Sequence, residues 1–324
     1  MDGFLVIDKP AGLTSHDVVD QVRRILHVRR VGHTGTLDPF ATGVLGVMVG
    51  RATRLAQFLS GVEKEYEAVI RLGYATDTGD RTGQPVAESR NSPGPARLAG
   101  DEAGNEIEAA LVALRGEIDQ VPPMYSAKKQ GGRKLYELAR RGEEVARLPV
   151  RVCIYELEAI NLASQPTPAL LKDNLDGTFD FEVRVVCSAG TYIRTLAEDF
   201  GKRLSMGAHL AELRRTRVGD FRIEKATSLD QLKVHMAEES LGQILYTPDD
   251  ALAHLPFVDL SEDNLRRVLN GRTVQITDKT VGEDWSDGEL VRLRDQKGRL
   301  VAVGKFVRAQ RVLQPNVVIA QDQT

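Results

Sequence analysis

Apolar and polar residues alternate with a period of two in parts of the chain, which is the pattern of β-strands with one buried face. The clearest case is the segment at residues 64–72, where Tyr66 lies on the apolar side. Further strands are predicted over residues 4–7, 44–49, 151–161 and 179–187. Helices are predicted over residues 15–27, 52–59, 106–115 and 134–142, and from the glycine turn at 188–190 to about residue 204. Ser15 is the predicted N-cap of the first helix.

The pattern changes from about residue 247 onwards. A helix capped by Ser261 and ending at Leu269 is predicted there, together with short strands over residues 273–276, 289–294, 299–307 and 316–319. Residues 88–105 are rich in glycine, proline, alanine and serine and predict a surface loop, whereas residues 162–177 predict an inserted hairpin or loop. A chain of 324 residues is long enough for two domains. We therefore predict one domain at residues 1–246 and a smaller one at 247–324.

The stretch from Gly32 to Gly43 is predicted to form neither a helix nor a strand, because it combines three glycines with an Asp-Pro step. We expect a tight, rigid loop that presents the carboxylate of Asp38 at the mouth of the buried strand at 44–49. Such a fixed carboxylate could serve catalysis. An aspartate before a proline is also common in ordinary turns, so the spacing alone leaves both interpretations open.

Composition describes an ordinary globular protein, with 42% hydrophobic and 27% charged residues. No apolar run is long enough to span a bilayer, and the N-terminal residues lack the basic leader of a signal peptide. Cys153 and Cys187 are expected to be small buried thiols in a reducing compartment, which favours the cytoplasm. No Cys/His cluster has metal-ligand spacing and no phosphate-binding glycine motif occurs, so we expect neither a metal nor a cofactor.

The net charge of −3 hides a segregation of charge along the chain. Residues 121–151 contain eight basic residues against three acidic ones, and residues 201–225 contain seven against three. Residues 226–264 contain one basic residue against eight acidic ones. Such segregation is what a phosphate-binding face requires, although a single cluster of this kind is more often a solvated helix face.

Six blocks of sequence resemble motifs of the TruB-type tRNA pseudouridine synthases and occur in the family's order. The stretch at 32–43 fits the catalytic-loop pattern G-H-T-G-x-L-D-P-x-A-x-G at every fixed position. The other blocks are D-K-P-x-G-x-T-S at 8–15, K-x-Y at 64–66 followed by T-D-T-x-D at 76–80, P-P-x-Y-S-A-x-K at 122–129, S-x-G-T-Y-I-R at 188–194 and G-A-H-x-x-x-L-R-R at 207–215. The resemblance spans about residues 3–220.

The resemblance implies roles for residues within these blocks. Asp38 would be the catalytic aspartate and Arg194 the arginine that pairs with it, although Arg194 could also form a surface ion pair with Glu198 at i+4. Tyr66 would stack on the target base, or it could be an ordinary core aromatic. The remaining implied pocket residues are Tyr192, His33 as a hydrogen-bonding or stacking group for RNA, and Leu213 beside the flipped base, with a helix-face core leucine as the alternative. Lys9 and Pro10 would support the catalytic loop.

The resemblance also implies a fold and a substrate. The fold would be α+β, with a mixed and largely antiparallel central sheet flanked by helices and a small C-terminal β-rich, PUA-like domain. The partner would be the T stem-loop of tRNA, with no obligatory protein partner. The basic segment at about 121–151 would grip the RNA backbone. Candidates for backbone contacts are Lys128, Lys129, Arg133, Lys134, Arg214 and Arg215.

The implied reaction converts the T-loop uridine at position 55 to pseudouridine. Asp38 could attack C1′ of the sugar, attack C6 of the base or assist elimination to a glycal, and the sequence does not choose among these routes. Either Asp38 or Tyr66 could remove the proton from C5. Two other functions remain open: a guide-RNA-dependent pseudouridine synthase, and a non-catalytic RNA-binding or tRNA-folding module.

Overall fold

The computed structural model describes residues 1–86, 103–126, 128–139, 141–143, 145–160, 171–276 and 284–320. The described strands are β1 Gly3–Lys9, β2 Val31–His33, β3 Thr42–Val49, β4 Lys64–Leu72, β5 Gly116–Gln120, β6 Lys129–Gln130, β7 Arg133–Lys134, β8 Val150–Ala159, β9 Leu171–Asp173, β10 Phe179–Cys187, β11 Ala208–Val218, β12 Phe221–Arg222, β13 Phe257–Asp259, β14 Val274–Gln275, β15 Leu290–Arg294, β16 Leu300–Val307 and β17 Val312–Val318. The described helices are α1 Ser15–Ile25, α2 Ala56–Leu59, α3 Ala103–Val112, α4 Leu135–Ala139, α5 Ile193–Arg203, α6 Leu229–Ala237 and α7 Glu262–Leu269.

The central sheet has the strand order β1-β3-β11-β4-β10-β8-β5, with β2, β9 and β12 added at its margins. Its described pairings are antiparallel except for the parallel contact of β11 with β3. The alternation that predicted β4 is observed, since Tyr66, Ala68 and Ile70 are buried. The predicted α+β class with a mixed, largely antiparallel sheet is confirmed.

Three apolar clusters hold this sheet and its helices together. One packs α3 and α5 against β4, β8 and β10, with Phe181 and Phe200 stacked at 5.4 Å between ring centroids. A second packs α1 and α6 on one side of β1 and β3. A third, on the other side of β1, joins Phe4 to Leu300 and Val303 of the C-terminal sheet. The strands β1 and β3 are therefore buried on both faces, which explains why residues 44–49 form a continuous apolar run.

A second sheet with the order β13-β15-β16-β17-β14 forms the C-terminal β domain. The helix predicted at 261–269 is observed as α7, and the hydroxyl of Ser261 accepts a hydrogen bond from the backbone N–H of Asn264 at 3.4 Å. The guanidinium of Arg54 donates to the carbonyl of Val318 at 2.6 Å and links the C-terminal sheet to the rest of the chain. The exact division at residue 246 stays a prediction.

Several local predictions need correction. Helix α1 is capped by Thr14, whose side chain forms a capping box with Asp17, so the prediction that Ser15 is the cap is wrong. Residues 208–218 form β11, which excludes a helix-face position for Leu213. The helix predicted at 134–142 is observed as the shorter α4, Leu135–Ala139, and the hairpin β6–β7 precedes it. Gly131 and Gly132 both have positive φ in that hairpin, as its two-residue turn requires.

The predicted insertions fall partly outside the described residues. The loop at 88–105 lies outside them except for its last residues, which already belong to α3. Residues 161–170 are also outside, whereas the second part of the other insertion forms a hairpin of β9 with β10. Among the described helices, none is both long and apolar enough to cross a membrane.

Candidate active site

Asp38 and Arg194 form an ion pair although 156 residues separate them in the chain. The Nε of Arg194 lies 2.9 Å from Oδ2 of Asp38, and its Nη2 donates to Oδ1 at 3.1 Å. This two-pronged contact fixes both the charge and the orientation of the carboxylate. The side chain of Arg194 is only 5% exposed and that of Asp38 is 30% exposed, so the carboxylate faces the cavity while the cation lies behind it.

The guanidinium of Arg194 also joins the other two segments that meet at the site. It donates to the carbonyl of Thr78 at 2.9 Å and to the carbonyl of Tyr125 at 2.8 Å. A second carboxylate, that of Asp80, lies 3.7 Å from its Nη1. Of the described ion pairs of Arg194, none involves Glu198, so the surface-pair alternative is wrong.

Residues of β1 and α1, which precede the loop in the chain, hold the loop that carries Asp38. The hydroxyl of Ser15 accepts from the backbone N–H of Leu37 at 2.8 Å and lies 3.1 Å from the Leu37 carbonyl. The buried Nζ of Lys9 donates to the carbonyls of Leu13 at 2.7 Å and Pro39 at 3.3 Å. Burial lowers the pKa of Lys9 to about 8. Ser15 and Lys9 thus support the residues on either side of Asp38.

Arg215 supports the same loop from β11. Its Nε donates to the carbonyl of Val44 at 2.7 Å and its Nη2 to that of Gly35 at 3.1 Å, while Nη1 lies 3.4 Å from the carbonyl of Thr36. The close approach of β11 requires glycine at Gly43, where φ is +102° and a Cβ would lie 2.2 Å from the Arg215 carbonyl oxygen. Because Arg215 is 1% exposed, the prediction that it contacts the RNA backbone does not hold for this structure.

The irregular loop around Asp38 is shorter than the stretch of residues 32–43 that the sequence predicted. Gly32 and His33 belong to β2, and Thr42 and Gly43 begin β3. The irregular part runs from Thr34 to Ala41, and the backbone N–H of Ala41 donates to the carbonyl of Asp38 at 3.1 Å, which closes the turn.

A cavity of about 440 Å³ opens beside the ion pair. The predicted pocket residues His33, Asp38, Tyr66, Tyr192, Arg194 and Leu213 all line it. Tyr192 is fixed through its backbone, whose N–H donates to Oε1 of Gln120 at 2.9 Å and whose carbonyl accepts from Nε2 at 3.3 Å. The cavity is lined by aromatic, aliphatic and polar groups and is large enough to accept a flipped pyrimidine nucleotide.

The electrostatics of the site act on Asp38 in opposite directions. Burial raises the pKa of Asp38 above its ordinary value of 3.8, Arg194 lowers that pKa, and the nearby Asp80 raises it. Burial also raises the pKa of Tyr66 above 10.0, although Arg215 beside it acts in the opposite direction. Burial lowers the pKa of His33 below 6.5, with Arg215 adding to the effect, so the imidazole is neutral at pH 7. Tyr66 therefore keeps its proton at neutral pH.

The residues predicted to contact the RNA backbone are placed differently from one another. Lys128 and Arg133 are exposed at the β6–β7 hairpin, whereas the side chains of Lys129 and Lys134 lie outside the described part. Arg214 is partly exposed and pairs with Asp8 at 2.8 Å. Among the described residues, no group of three or more His, Cys, Asp or Glu side chains is arranged to hold a metal ion.

Some residues of the site were not identified from the sequence. Asp80 is the last residue of the T-D-T-x-D turn, and its position in that motif was an available signal. Lys64 belongs to the K-x-Y motif; it lines the cavity, and burial lowers its pKa to about 8. The supporting roles of Ser15 and Arg215 depend on contacts across 22 and 171 or more residues, which spacing along the chain does not show.

Comparison with known proteins gives consistent results. A family model described as TruB family pseudouridylate synthase (N terminal domain) matches residues 23–193, and one described as tRNA pseudouridylate synthase B C-terminal domain matches residues 194–254. The tRNA pseudouridine synthase B of Bacillus pumilus is 38% identical over 324 residues, covering 100% of this chain and 99% of the relative. That of Geotalea uraniireducens is 46% identical over 309 residues, covering 94% of this chain and 92% of the relative.

A solved structure of a Cbf5-Nop10-Gar1 complex contains a similar chain, with a TM-score of 0.70, 27% identity and coverage of 98% of this chain and 85% of that one. The large mixed sheet with its flanking helices is the fold that this chain shares with that structure. The chain belongs to the TruB family of pseudouridylate synthases. This confirms the resemblance in the sequence and makes the chain an isomerase.

Proposed function

We propose that this enzyme converts the uridine at position 55 in the T stem-loop of tRNA to pseudouridine, with Asp38 as the catalytic residue. The observation that carries the proposal is the Asp38–Arg194 pair at the cavity, with Nε to Oδ2 at 2.9 Å. The relatives named tRNA pseudouridine synthase B, at 38% and 46% identity, support tRNA as the substrate.

The isomerisation needs only the groups present in the cavity. The bond from C1′ to N1 of uracil breaks, a bond from C1′ to C5 forms, C5 loses a proton and N1 gains one. Asp38 supplies the charged group for cleavage, and Arg194 favours its ionised form in a site where burial raises its pKa. Attack at C1′, attack at C6 and elimination to a glycal all use Asp38 in this role. Because Tyr66 keeps its proton, we assign removal of the C5 proton to Asp38.

Substrate binding requires the uridine to leave the stacked T-loop. Tyr66 and Leu213 line the cavity, and stacking on Tyr66 would repay part of the cost of flipping. His33, neutral and partly buried, is suited to hydrogen bonding or stacking with RNA. Lys128, Arg133 and Arg214 present charge toward solvent and are the described candidates for phosphate contacts. We also propose that residues 247–324 form a PUA-like RNA-binding domain and that the enzyme works in the cytoplasm.

The main alternative is a guide-RNA-dependent synthase. The solved structure titled as an H/ACA RNP bound to a substrate RNA contains a chain that is 25% identical to this one. The relatives named tRNA pseudouridine synthase B are at 38–46% identity, which favours a stand-alone enzyme. The other alternative is a non-catalytic RNA-binding module. Such a module would not need a carboxylate at a cavity with a buried arginine paired behind it.

The test is to incubate the purified chain alone with an unmodified tRNA transcript and map pseudouridine by carbodiimide labelling and primer extension. We expect one modified position, uridine 55, without any guide RNA or second protein. A transcript in which uridine 55 is replaced by cytidine is the control and should acquire no pseudouridine. Modification elsewhere, or only after a guide RNA is added, would refute the proposal.

A further inference from the structure

Ser126 carries a buried hydroxyl with no hydrogen-bond partner in the described part of the chain. The residue is 5% exposed and lines the active-site cavity, and its Oγ is fully buried. Buried polar side chains in folded proteins nearly always have a partner, because an unsatisfied group keeps the cost of its lost hydration. An unpartnered buried hydroxyl at a substrate cavity therefore indicates a partner that arrives with the substrate.

The unpartnered polar atoms are concentrated at this cavity. Four such buried side-chain atoms occur within the described residues: Nδ1 of His33, Oγ1 of Thr34, Oγ of Ser126 and Oδ1 of Asp249. The first three belong to residues that line the cavity, whereas Asp249 lies elsewhere. If these atoms lacked partners merely because of imperfect packing, they would be spread over the molecule. Their concentration at one cavity indicates that a polar ligand binds there.

The segment before Ser126 is fixed by contacts that connect it to the catalytic pair. The carbonyl of Tyr125 accepts from Nη2 of Arg194 at 2.8 Å, and the same nitrogen donates to Asp38. The carbonyl of Pro122 accepts from Nη1 of Arg147 at 3.0 Å. The backbone that carries the Ser126 hydroxyl is therefore held next to Arg194, the residue that binds Asp38.

We propose that the Ser126 hydroxyl forms a hydrogen bond with the target uridine and that this bond is made only when the nucleotide occupies the cavity. A hydroxyl both donates and accepts, so its partner is either a polar atom of the uracil or the 2′-hydroxyl of the ribose. Ser126 is thus a substrate-binding residue that helps select the nucleotide. The inference rests on the proposed function, since it needs a uridine in the cavity.

The test compares Ser126→Ala with the wild-type enzyme on a T stem-loop RNA. We expect kcat/KM to fall about 3- to 10-fold, the effect of losing one neutral hydrogen bond. We expect Tm without RNA to stay the same or to rise, because the substitution removes an unsatisfied buried group. A supporting hydroxyl in the fold would instead lower Tm when it is removed. A fall in kcat/KM without a fall in Tm therefore identifies a hydroxyl that binds the substrate.

Ser228→Ala is the matched control, because the Ser228 hydroxyl already accepts from the backbone N–H of Gln231 at 3.1 Å and caps α6, away from the cavity. It should leave kcat/KM unchanged. Binding of an RNA with 2′-deoxyuridine at the target position identifies the partner. If Ser126→Ala weakens binding of uridine RNA but not of deoxyuridine RNA, the partner is the 2′-hydroxyl; if it weakens both equally, the partner is on the uracil.

Wild-type kcat/KM for Ser126→Ala would overturn the inference, and so would a loss of activity that only follows a lowered Tm. Neither result would touch the proposed function, which is tested separately by pseudouridine formation at position 55 by the wild-type enzyme.

Discussion

Replacing Arg194 with methionine should disable the enzyme and move its activity to higher pH. Methionine keeps the unbranched apolar stem but removes the guanidinium that lies 2.9 Å and 3.1 Å from the carboxylate oxygens of Asp38. Burial and Asp80 both raise the pKa of Asp38, and the opposing effect of Arg194 would be gone. Because the reaction needs the carboxylate ionised, the acidic limb of the pH–rate profile should shift upward.

The expected size of the loss follows from the burial of the pair. Removing one partner of a buried ion pair typically costs about 3–5 kcal/mol. Asp38 keeps 30% of its side chain exposed, so water can solvate the unpaired carboxylate in part and we take the lower end of that range. A loss of about 3 kcal/mol in transition-state stabilisation corresponds to roughly a 150-fold decrease in kcat/KM.

Arg194→Lys separates charge from geometry. An ammonium keeps the positive charge but cannot reach both carboxylate oxygens and the carbonyls of Thr78 and Tyr125 at once. We expect its acidic limb to lie close to that of the wild type, with kcat reduced at every pH. Single-turnover pseudouridine formation measured from pH 5 to pH 9 gives both quantities.

If Arg194→Met, folded by circular dichroism and with wild-type affinity for the RNA, kept the wild-type rate and acidic limb, Arg194 would not control the ionisation of Asp38.

Three further predictions concern the support and the surroundings of the catalytic pair. Arg215→Met removes the donor to the carbonyls of Gly35, Thr36 and Val44 and should lower the free energy of unfolding by about 3 kcal/mol, measured by urea denaturation. An unchanged free energy of unfolding would show that Arg215 does not support the loop. Tyr66→Phe keeps the ring and should keep kcat within about threefold, whereas a loss of about 100-fold or more would return the phenol to the role of general base. Lys128→Ala and Arg133→Ala should each lower the salt dependence of RNA binding by about one unit of slope with kcat unchanged, and a wild-type slope would remove them from the phosphate contacts.

Much of the fold could be predicted because its elements have strong local patterns. The alternation in β4 and β10, the amphipathic stripe of α1 and the glycine-terminated α7 all determine their structure from neighbouring residues. The errors arose where tertiary contacts compete with local signals. Ser15 has the chemistry of an N-cap, but its hydroxyl instead binds Leu37, and Thr14 caps the helix.

In the site, too, local motifs could be recognised from the sequence, whereas contacts between distant segments could not. The motifs brought attention to Asp38, Arg194, Tyr66, Tyr192 and Leu213, which the structure places around one cavity. Arg214 and Arg215 are adjacent in sequence and read alike as basic residues. In the strand β11 they point to opposite faces, so one pairs with Asp8 near the surface and the other is buried against the catalytic loop. Only the position of β11 between β3 and β4 distinguishes them.

If the carboxylate of Asp38, held by Arg194, performs the isomerisation, the reaction cannot proceed without it. The most direct measurement is single-turnover conversion of uridine 55 in an unmodified tRNA transcript by Asp38→Asn, at enzyme concentrations that saturate the RNA. We expect the variant to fold and bind the tRNA but to form no detectable pseudouridine. Turnover at the wild-type rate by this folded variant would show that the Asp38 carboxylate is not the catalytic group.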